Sequence, residues 1–457
     1  MRQLYLTTED IFALPYRKKQ FIIYAPLLRI ILVVNIDAAI LISLIKKNKI
    51  NWSNLNENNE TIKKLLELGL LSRKKMIEKT TENIGVKFAP KSVTLCVTTD
   101  CNLRCLYCFA SGGENPKYMK WNVAKAAIDI CLKNIKNKEN FQLYFSGGGE
   151  PTLAWNLIKK SISYCEKKCK NKKIKLSIHI TTNGILSKQQ ISYIRQKKIE
   201  ITLSIDGPPK IQNYLRPFKN GDPTYPSLKR TINSFTKLGI CYGARATVTN
   251  FSIKDMLNII KHFHALGIKR VHLEPSYECG RCLKTNIVNP SPDEFFKNFI
   301  KCLAYANKHK IDLHFSGQKI YALSSIFCGA SGKSFYVTTD GFVTSCLEVL
   351  EITDPASKIF FYGKFNEKNK KFKIYNTKLK LLRSRLVNNI PKCNKCFCKW
   401  HCSGGCLIRC FRSSNSIFDV NHRICYINRK VGEYLIKQLV DGKKIVISKY
   451  NIVPDKI

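Results

Sequence analysis

The sequence predicts an α/β fold: a partial TIM-type (β/α)6 barrel between a small N-terminal winged-helix-like module and a C-terminal cysteine-rich domain. From about residue 93 to 317, strand-like and helix-like segments alternate, as in a parallel sheet that curves into a barrel. The chain of 457 residues is long enough for two to four domains. The expected units are a module at 1–88, a barrel at 89–318, a cysteine-rich domain at 319–435 and a tail at 436–457.

The first 88 residues have the layout of a hairpin with two helices. Asp37 is placed to cap the first helix, and Gly69 is a suitable C′ residue for the second. This outline also fits a structural cap or a nucleic-acid-binding wing. The predicted elements are a hairpin over Phe21–Tyr24 and Arg29–Val34, helices from Asp37 to about Lys47 and from about Glu60 to Gly69, and a strand over Leu70–Ser72.

One apolar segment, residues 21–45, is long enough to cross a bilayer but contains polar residues near its middle, among them Arg29 and Asp37. A charge at the bilayer centre costs about 2.5 to 3.5 kcal/mol, so a buried hairpin and helix is the better interpretation. We expect no membrane span.

The composition indicates which partners and which cellular compartment to expect. A net charge of +45 would suit an acidic peptide or nucleic acid, but lysine is spread along the whole chain, which indicates a generally basic surface. Nucleic acid is therefore not the expected partner. Twenty cysteines occur without a cleavable signal peptide at the N-terminus, so a metal framework explains them better than disulfides. We expect an oxygen-sensitive cytoplasmic protein.

The barrel is predicted from six strands with helical patterns between them. Met256, Ile260, Phe263 and Leu266 recur at helical spacing before Gly267. In such barrels the chemistry lies at the carboxyl ends of the strands. The predicted strands are Val93–Thr98, Phe141–Phe145, Leu176–Thr181, Glu200–Ile205, Ala244–Thr249 and Val271–Glu274.

Three cysteines, Cys101, Cys105 and Cys108, follow the first strand in a tight loop and can point three thiolates at one centre. Structural zinc needs four protein ligands, and the next cysteine, Cys131, lies in a helical pattern. A cubic iron–sulfur cluster held by three cysteines leaves one iron open to a small molecule. A disulfide or three unrelated core thiols is the remaining alternative.

This loop resembles the CxxxCxxC signature of the radical S-adenosylmethionine (SAM) superfamily, with the aromatic Tyr107 before the last cysteine. The resemblance implies a [4Fe–4S] cluster on Cys101, Cys105 and Cys108, with SAM on the fourth iron. One electron would then cleave SAM to a 5′-deoxyadenosyl radical that abstracts hydrogen from a substrate. The three cysteines are accordingly predicted to be both metal ligands and catalytic residues.

The same resemblance implies the SAM contacts. Ser146–Pro151 matches the GGEP motif that serves the SAM amino group. Ser204 is implied for the ribose hydroxyls or the methionine carboxylate, and Arg216 for that carboxylate. Val271–Pro275 resembles the strand that lines the adenine, whereas Asp206-Gly207 also fits a simple turn. The predicted cofactor-binding residues are Tyr107, Gly148, Gly149, Glu150, Asn183, Ser204, Asp206, Arg216 and Glu274.

Seven cysteines in the C-terminal third have the intervals of the SPASM extension of radical SAM peptide-modifying enzymes. A pair of zinc ribbons would not explain the upstream loop. The resemblance implies two auxiliary [4Fe–4S] clusters, one on Cys393, Cys396, Cys402 and Cys425, the other on Cys328, Cys346 and Cys406. The second lacks a fourth ligand, since Ser334 stands where a sulfatase-maturing enzyme has a cysteine. Cys279, Cys282, Cys398, Cys410 or a substrate thiolate are the alternatives.

The resemblance implies a radical SAM/SPASM peptide maturase, an oxidoreductase that forms a thioether or carbon–carbon crosslink in a ribosomally made precursor peptide. The N-terminal module would bind a leader sequence as an added strand, and a flavodoxin- or ferredoxin-type protein would supply electrons. One rival is an anaerobic sulfatase-maturing enzyme, in which Leu347 would be an aspartate; here Glu348 stands one position later. The other is a non-catalytic iron–sulfur protein that carries electrons or binds nucleic acid.

Overall fold

The computed structural model describes residues 3–50, 59–74, 87–317 and 319–442. The N-terminal module contains a three-stranded antiparallel sheet in the order β2–β3–β4 and a separate antiparallel pair, β1 and β5. Its elements are β1 (Tyr5–Leu6), β2 (Phe12–Pro15), β3 (Gln20–Ala25), β4 (Ile30–Asn35), α1 (Ile36–Lys46), α2 (Glu60–Glu67) and β5 (Leu71–Ser72).

The hairpin and both helices of this module lie where the sequence predicts them, but the cap of α1 differs. Asn35 is the N-cap, because its side-chain oxygen accepts a hydrogen bond from the Ala38 amide at 3.0 Å. The prediction of Asp37 as the cap is wrong. Asp37 lies in the first turn of the helix, where its negative charge interacts favourably with the helix dipole. Gly69 has a φ of +70°, as a residue that ends a helix requires.

The barrel consists of seven parallel strands that neighbour one another in chain order, which confirms the predicted α/β class. Within the described residues its sheet is not closed by hydrogen bonds, because β12 is an edge strand, and it has one strand more than the six predicted. The strands are β6 (Ser92–Leu95), β7 (Asn140–Phe145), β8 (Lys175–Thr182), β9 (Glu200–Ser204), β10 (Tyr242–Val248), β11 (Arg270–Pro275) and β12 (Asp312–His314). The helices are α3 (Trp121–Asn134), α4 (Trp155–Asn171), α5 (Lys188–Gln196), α6 (Pro209–Leu215), α7 (Tyr225–Leu238), α8 (Met256–Ala265) and α9 (Pro292–Lys308).

The C-terminal region extends the same sheet to eleven strands. β13 pairs in parallel with β6, and β14, β15 and β16 follow as antiparallel neighbours. The elements are β13 (Tyr336–Val337), β14 (Phe342–Thr344), α10 (Ser357–Phe360), β15 (Phe361–Asn366), β16 (Lys371–Ile374), α11 (Asn376–Arg383), α12 (Lys399–Cys402), α13 (Leu407–Ser414) and α14 (His422–Val440).

Helix α14 corrects the predicted boundary between residues 435 and 436, because this helix continues to Val440. The rest of the predicted tail, 443–457, lies outside the described residues. Among the helices that the structure describes, none is both long enough and apolar enough to span a membrane.

The N-terminal module is fixed to the cysteine-rich region at α12. The buried Asp10 carboxylate accepts hydrogen bonds from Lys399 Nζ, at 3.1 Å to each oxygen, and from Trp400 Nε1 at 2.6 Å. The Tyr24 hydroxyl contacts the next residue, His401, through its Nε2. Three consecutive residues of α12 therefore face the module directly before Cys402.

Candidate functional site

The carboxyl ends of the barrel strands open into a cavity of about 700 Å³. The predicted three-cysteine loop and the glycine loop line one part of its wall, and three cysteines of the C-terminal region line another. All predicted cofactor-binding residues except Asp206 line the cavity. The cysteines on the cavity wall are Cys101, Cys105, Cys108, Cys279, Cys328, Cys346 and Cys406.

A buried arginine that the sequence analysis missed, Arg281, binds the backbone of the loop that carries Cys101, Cys105 and Cys108. Arg281 Nη1 donates to the Cys105 carbonyl at 3.0 Å, and its Nη2 donates to the Gly112 carbonyl at 2.8 Å. Gly280 has a φ of +57°, and an added Cβ would lie 2.4 Å from the Cys108 carbonyl oxygen. The sequence signal for this role is the arginine that follows a glycine between Cys279 and Cys282.

The thiols of Cys101, Cys105 and Cys108 lie on one cavity wall, a donor set that fits an iron–sulfur cluster. Burial raises the pKa of Cys101 to about 11 and that of Cys105 to about 12, so both are neutral thiols until a bound metal favours their thiolates.

The glycine loop needs its glycines because it packs against the backbone that leads into the three-cysteine loop. A Cβ on Gly149 would lie 1.9 Å from the Asp100 carbonyl oxygen. Gly148 has a φ of +76°, and its Cβ would lie 2.8 Å from the Thr98 carbonyl oxygen. The Gly149 amide donates a hydrogen bond to the Thr98 carbonyl at 2.9 Å, and the Glu150 amide donates one to the Asp100 carbonyl at 2.8 Å, so the same two segments are joined directly. The two loops therefore form one rigid wall.

Glu150 is predicted to bind the SAM amino group, but both of its carboxylate oxygens accept hydrogen bonds from other groups of the protein. It accepts hydrogen bonds from the backbone and hydroxyl of Thr152, from the Thr182 hydroxyl at 2.8 Å and from the Asn183 amide at 2.7 Å. These bonds join the carboxyl ends of β7 and β8. In this arrangement Glu150 positions the glycine loop, and its direct contact with SAM stays a prediction.

Tyr107, Asp206 and Arg216 form a buried network beneath the three-cysteine loop. The Tyr107 hydroxyl donates to Asp206 Oδ2 at 2.5 Å and accepts from Arg216 Nη1 at 2.6 Å. The Thr247 amide donates to the other Asp206 oxygen at 2.9 Å. Burial, together with the charge of Asp206, holds the pKa of Tyr107 well above its usual value, although Arg216 opposes this. Asp206 does not line the cavity, so this placement does not support the prediction that it contacts the cofactor.

Glu274 connects the barrel to the cysteine-rich region. Burial alone would raise its pKa, but the hydrogen bond from His272 Nε2 at 3.0 Å and the charge of Arg409, 3.2 Å away, hold it below its usual value. The Ser316 amide also donates to this carboxylate at 3.1 Å. The structure thus places Glu274 on the cavity wall as an anion whose charge is already balanced.

Two sets of C-terminal cysteines lie in different places: Cys328, Cys346 and Cys406 line the cavity, and Cys393, Cys396, Cys402 and Cys425 lie away from it. Their assignment to two clusters stays a prediction. Burial, followed by the nearby charges of Glu348 and Cys406, raises the pKa of Cys346, and Cys328 contributes in the same direction. In the second group, the Cys398 side-chain hydrogen bond is the main cause that lowers the pKa of Cys396 to about 6. The second group consists of Cys393, Cys396, Cys402 and Cys425, which affect one another's pKa values.

One of the four candidates for the missing ligand is favoured by its position. Cys279 lines the cavity together with the Cys328, Cys346 and Cys406 group. Cys282 instead donates its thiol to the Ile287 carbonyl at 2.9 Å, and Cys398 and Cys410 do not line this cavity. Cys279 and a substrate thiolate are the two predicted ligands that this cavity can supply.

The chain is similar in sequence to radical SAM proteins. The Radical SAM superfamily profile matches residues 95–274. A cysteine-type anaerobic sulfatase-maturating enzyme from Clostridium perfringens is 25% identical over 370 residues, 75% of this chain and 95% of the relative. An uncharacterized protein, MJ0907, from Methanocaldococcus jannaschii is 35% identical over 185 residues, 40% of this chain and 62% of the relative.

Solved structures agree in fold. The structure described as "Native anSMEcpe with bound AdoMet" aligns with a TM-score of 0.59 and 19% identity over 77% of this chain and 97% of that one. Streptococcus suis SuiB bound to precursor peptide SuiA aligns with a TM-score of 0.51 and 17% identity over 93% of this chain and 100% of that one. The family match, together with the three-cysteine loop and the barrel, shows that residues 95–274 form a Radical SAM domain, and the solved structures agree with it in fold.

Proposed function

We propose that the protein is a radical SAM/SPASM peptide maturase that abstracts hydrogen from a residue of a ribosomally made precursor peptide. It would form a thioether or carbon–carbon crosslink and so act as an oxidoreductase. Cys101, Cys105 and Cys108 would hold a [4Fe–4S] cluster, which when bound supplies the electron that cleaves SAM to a 5′-deoxyadenosyl radical. The observation that carries the proposal is the single cavity shared by this loop and the Cys328, Cys346 and Cys406 group.

The protein's own residues would position this chemistry. Arg281 and the glycine loop fix the backbone that carries the three thiols. Across the cavity, the second thiol group would hold an auxiliary cluster that accepts the surplus electron or binds the substrate. The Cys393, Cys396, Cys402 and Cys425 group would hold the other, within reach of a flavodoxin- or ferredoxin-type partner.

The N-terminal module supports a peptide substrate. Within the described residues β4 is an edge strand of its sheet, where a peptide could pair as an added strand. Exposed apolar side chains stand on β4 and the adjoining α1: Val33 (39% exposed), Ile36 (40%) and Ile40 (49%). A leader sequence that extends the sheet would cover these side chains while the core peptide enters the cavity.

The second candidate is an anaerobic sulfatase-maturating enzyme, which the 25% identity to the Clostridium perfringens protein favours. That reaction needs a base near the substrate. Leu347 occupies the expected aspartate position and packs against Gly147. The next residue, Glu348, lines the cavity, but its carboxylate is already paired with Arg412, whose Nη1 lies 3.2 Å away. A non-catalytic iron–sulfur protein, the third alternative, would not cleave SAM.

The test is anaerobic reconstitution with iron and sulfide, reduction with dithionite and measurement of 5′-deoxyadenosine. We expect release from the wild type, loss on changing Cys101, Cys105 and Cys108 to alanine, and no loss from the control Cys241→Ala, which removes an exposed thiol. A wild-type protein that never releases 5′-deoxyadenosine would refute the proposal.

Co-expression with short reading frames encoded nearby identifies the product. A loss of two hydrogens by mass spectrometry indicates a crosslink or formylglycine, and fragmentation separates the two. An unchanged mass indicates epimerisation, which isotope labelling detects.

A further inference from the structure

The reaction proposed above releases a proton that needs an acceptor. A peptide that loses two hydrogens gives up a hydrogen atom to the adenosyl radical, an electron to an auxiliary cluster, and a proton. Three carboxylates on the cavity wall already have partners within the protein: Glu348 is paired with Arg412, Glu274 is paired with Arg409, and Glu150 accepts hydrogen bonds with both of its oxygens. The acceptor is therefore expected among the other side chains of this wall.

Three histidines line the cavity, and each has a carboxylate as its neighbour. The nitrogen–oxygen distances are 3.4 Å for His179 and Glu200, 3.0 Å for His272 and Glu274, and 3.1 Å for His314 and Asp312. In the sheet register His179 pairs with the first residue of β9, whereas His272 is level, through Arg245, with Ser204, the last residue of that strand. His272 and its pairing neighbour His314 therefore lie nearer to the carboxyl ends of the strands, where the cysteine loop follows.

Of these two histidines, His272 is connected to the cysteine-rich region. Its partner Glu274 also accepts a hydrogen bond from Arg409 at 3.2 Å. Arg409 lies in the first turn of α13, three residues after Cys406, and both residues line the cavity. His314 lies on β12, the edge strand of the barrel. A proton taken by His272 would thus leave the peptide on the side of the cavity that carries Cys406.

The hydrogen bonds of His272 fix which ring nitrogen carries its proton. Its Nε2 lies 3.0 Å from Glu274 Oε2 and 3.1 Å from Ser316 Oγ. Glu274 is held as an anion and can only accept, so Nε2 is the protonated nitrogen of the neutral ring. The lone pair is then on Nδ1, which makes no hydrogen bond within the described part of the chain. The side chain is 25% exposed and lines the cavity, so Nδ1 is available to a bound peptide.

The charges around His272 favour a neutral ring that gains its charge only on accepting a proton. Burial is the main cause that lowers its pKa, and the charges of Arg245 on β10 and His314 on β12 lower it further. The hydrogen bond and the charge of Glu274 act in the opposite direction. The ring is therefore unprotonated near neutral pH, and the imidazolium formed by proton transfer is stabilised by the carboxylate 3.0 Å away.

We propose that His272 is the general base that accepts, at Nδ1, the proton lost by the peptide, and that Glu274 is the positioning residue that fixes its tautomer. This inference rests on the proposed function and deepens it. For a thioether, the adenosyl radical takes the hydrogen atom of a C–H bond, and the S–H proton moves to His272. The C–S bond forms as the surplus electron passes to an oxidised auxiliary iron–sulfur cluster.

The first test needs no turnover. Diethylpyrocarbonate reacts with unprotonated imidazole nitrogens, and His272 is the only histidine in the tryptic peptide 271–281. Mass spectrometry of that peptide, after treatment of reconstituted SAM-free protein at a series of pH values, should give a midpoint below the ordinary pKa of 6.5. Glu274→Gln should move the midpoint lower still, because the carboxylate that raises this pKa is gone. A midpoint above the ordinary value, or a ring that does not react, would overturn the inference.

The second test uses the precursor peptide that co-expression identifies and measures product and 5′-deoxyadenosine in the same samples. His272→Gln should release 5′-deoxyadenosine at nearly the wild-type rate but form product about 100-fold more slowly. Added imidazole should restore part of the product formation in His272→Ala. The control His264→Gln removes an exposed histidine from α8 and should change neither quantity.

Product formation that is unaffected by His272→Gln, or lost on His314→Gln instead, would overturn the inference. A product of unchanged mass, which loses no proton, would overturn it as well. A wild type that releases no 5′-deoxyadenosine would count against the proposed function, and the diethylpyrocarbonate titration would then still decide whether His272 is an accessible neutral base.

Discussion

Removing the Asp10 carboxylate should weaken the attachment of the N-terminal module to the cysteine-rich region. Asp10 is 2% exposed, and the Lys399 side chain with which it pairs is 9% exposed. Removing one partner of a buried ion pair costs about 3–5 kcal/mol, because the other charge is left buried and alone. Asp10→Ala also leaves the Trp400 indole without its acceptor. We therefore expect the free energy of unfolding to fall by about 3–5 kcal/mol.

Urea denaturation measures the total change, and hydrogen exchange of the β2–β4 amides reports local opening without requiring two-state unfolding. The control is Asp37→Ala, which removes an exposed carboxylate from the first turn of α1 and should cost about 1 kcal/mol or less. The double variant Asp10→Ala/Lys399→Met should recover part of the loss, because no unpaired charge remains buried. A loss below about 1 kcal/mol for Asp10→Ala, or no recovery in the double variant, would contradict the reasoning.

Three further substitutions test the site. Gly149→Ala should lower 5′-deoxyadenosine release at least tenfold, because the added Cβ would lie 1.9 Å from a backbone oxygen. The control Gly243→Ala, whose added Cβ would have its nearest contact at 3.5 Å, should leave the release unchanged. Equal release by the two variants would refute the close packing at Gly149. Arg281→Met removes the donors that hold the three-cysteine loop, so a chelator should extract iron several-fold faster than from wild type; an unchanged rate would count against this role. The pKa of Glu274 is lowered in the folded protein, so its stabilisation is present above the unfolded value of 4.5 and is lost as pH falls below it. The difference in unfolding free energy between wild type and Glu274→Gln should therefore shrink in acid; a difference that is constant with pH would contradict it.

Local patterns predicted the first six barrel strands because apolar runs there lie between turn residues, and their neighbour order follows chain order. The short strands β12 to β16 were not predicted. Gly149 was predicted for its contact with a ligand, and its close packing against the loop backbone is a second reason for glycine there. Arg281 was missed because an arginine in a loop carries no periodic signal, and its role depends on which carbonyls it contacts. The pairing of Asp10 with Lys399 joins residues 389 positions apart, which no local pattern indicates.

The pairing of β13 with β6 limits where the protein can be truncated. The Thr94 and Cys96 amides donate to the carbonyls of Phe335 and Val337 at 3.0 and 2.9 Å, so the barrel's first strand is an interior strand of the whole sheet. A fragment that ends at residue 318 would leave that strand as an unpaired edge strand, and exposed edge strands promote aggregation. Expression trials and domain-swap chimeras should keep the barrel and the cysteine-rich region in one polypeptide.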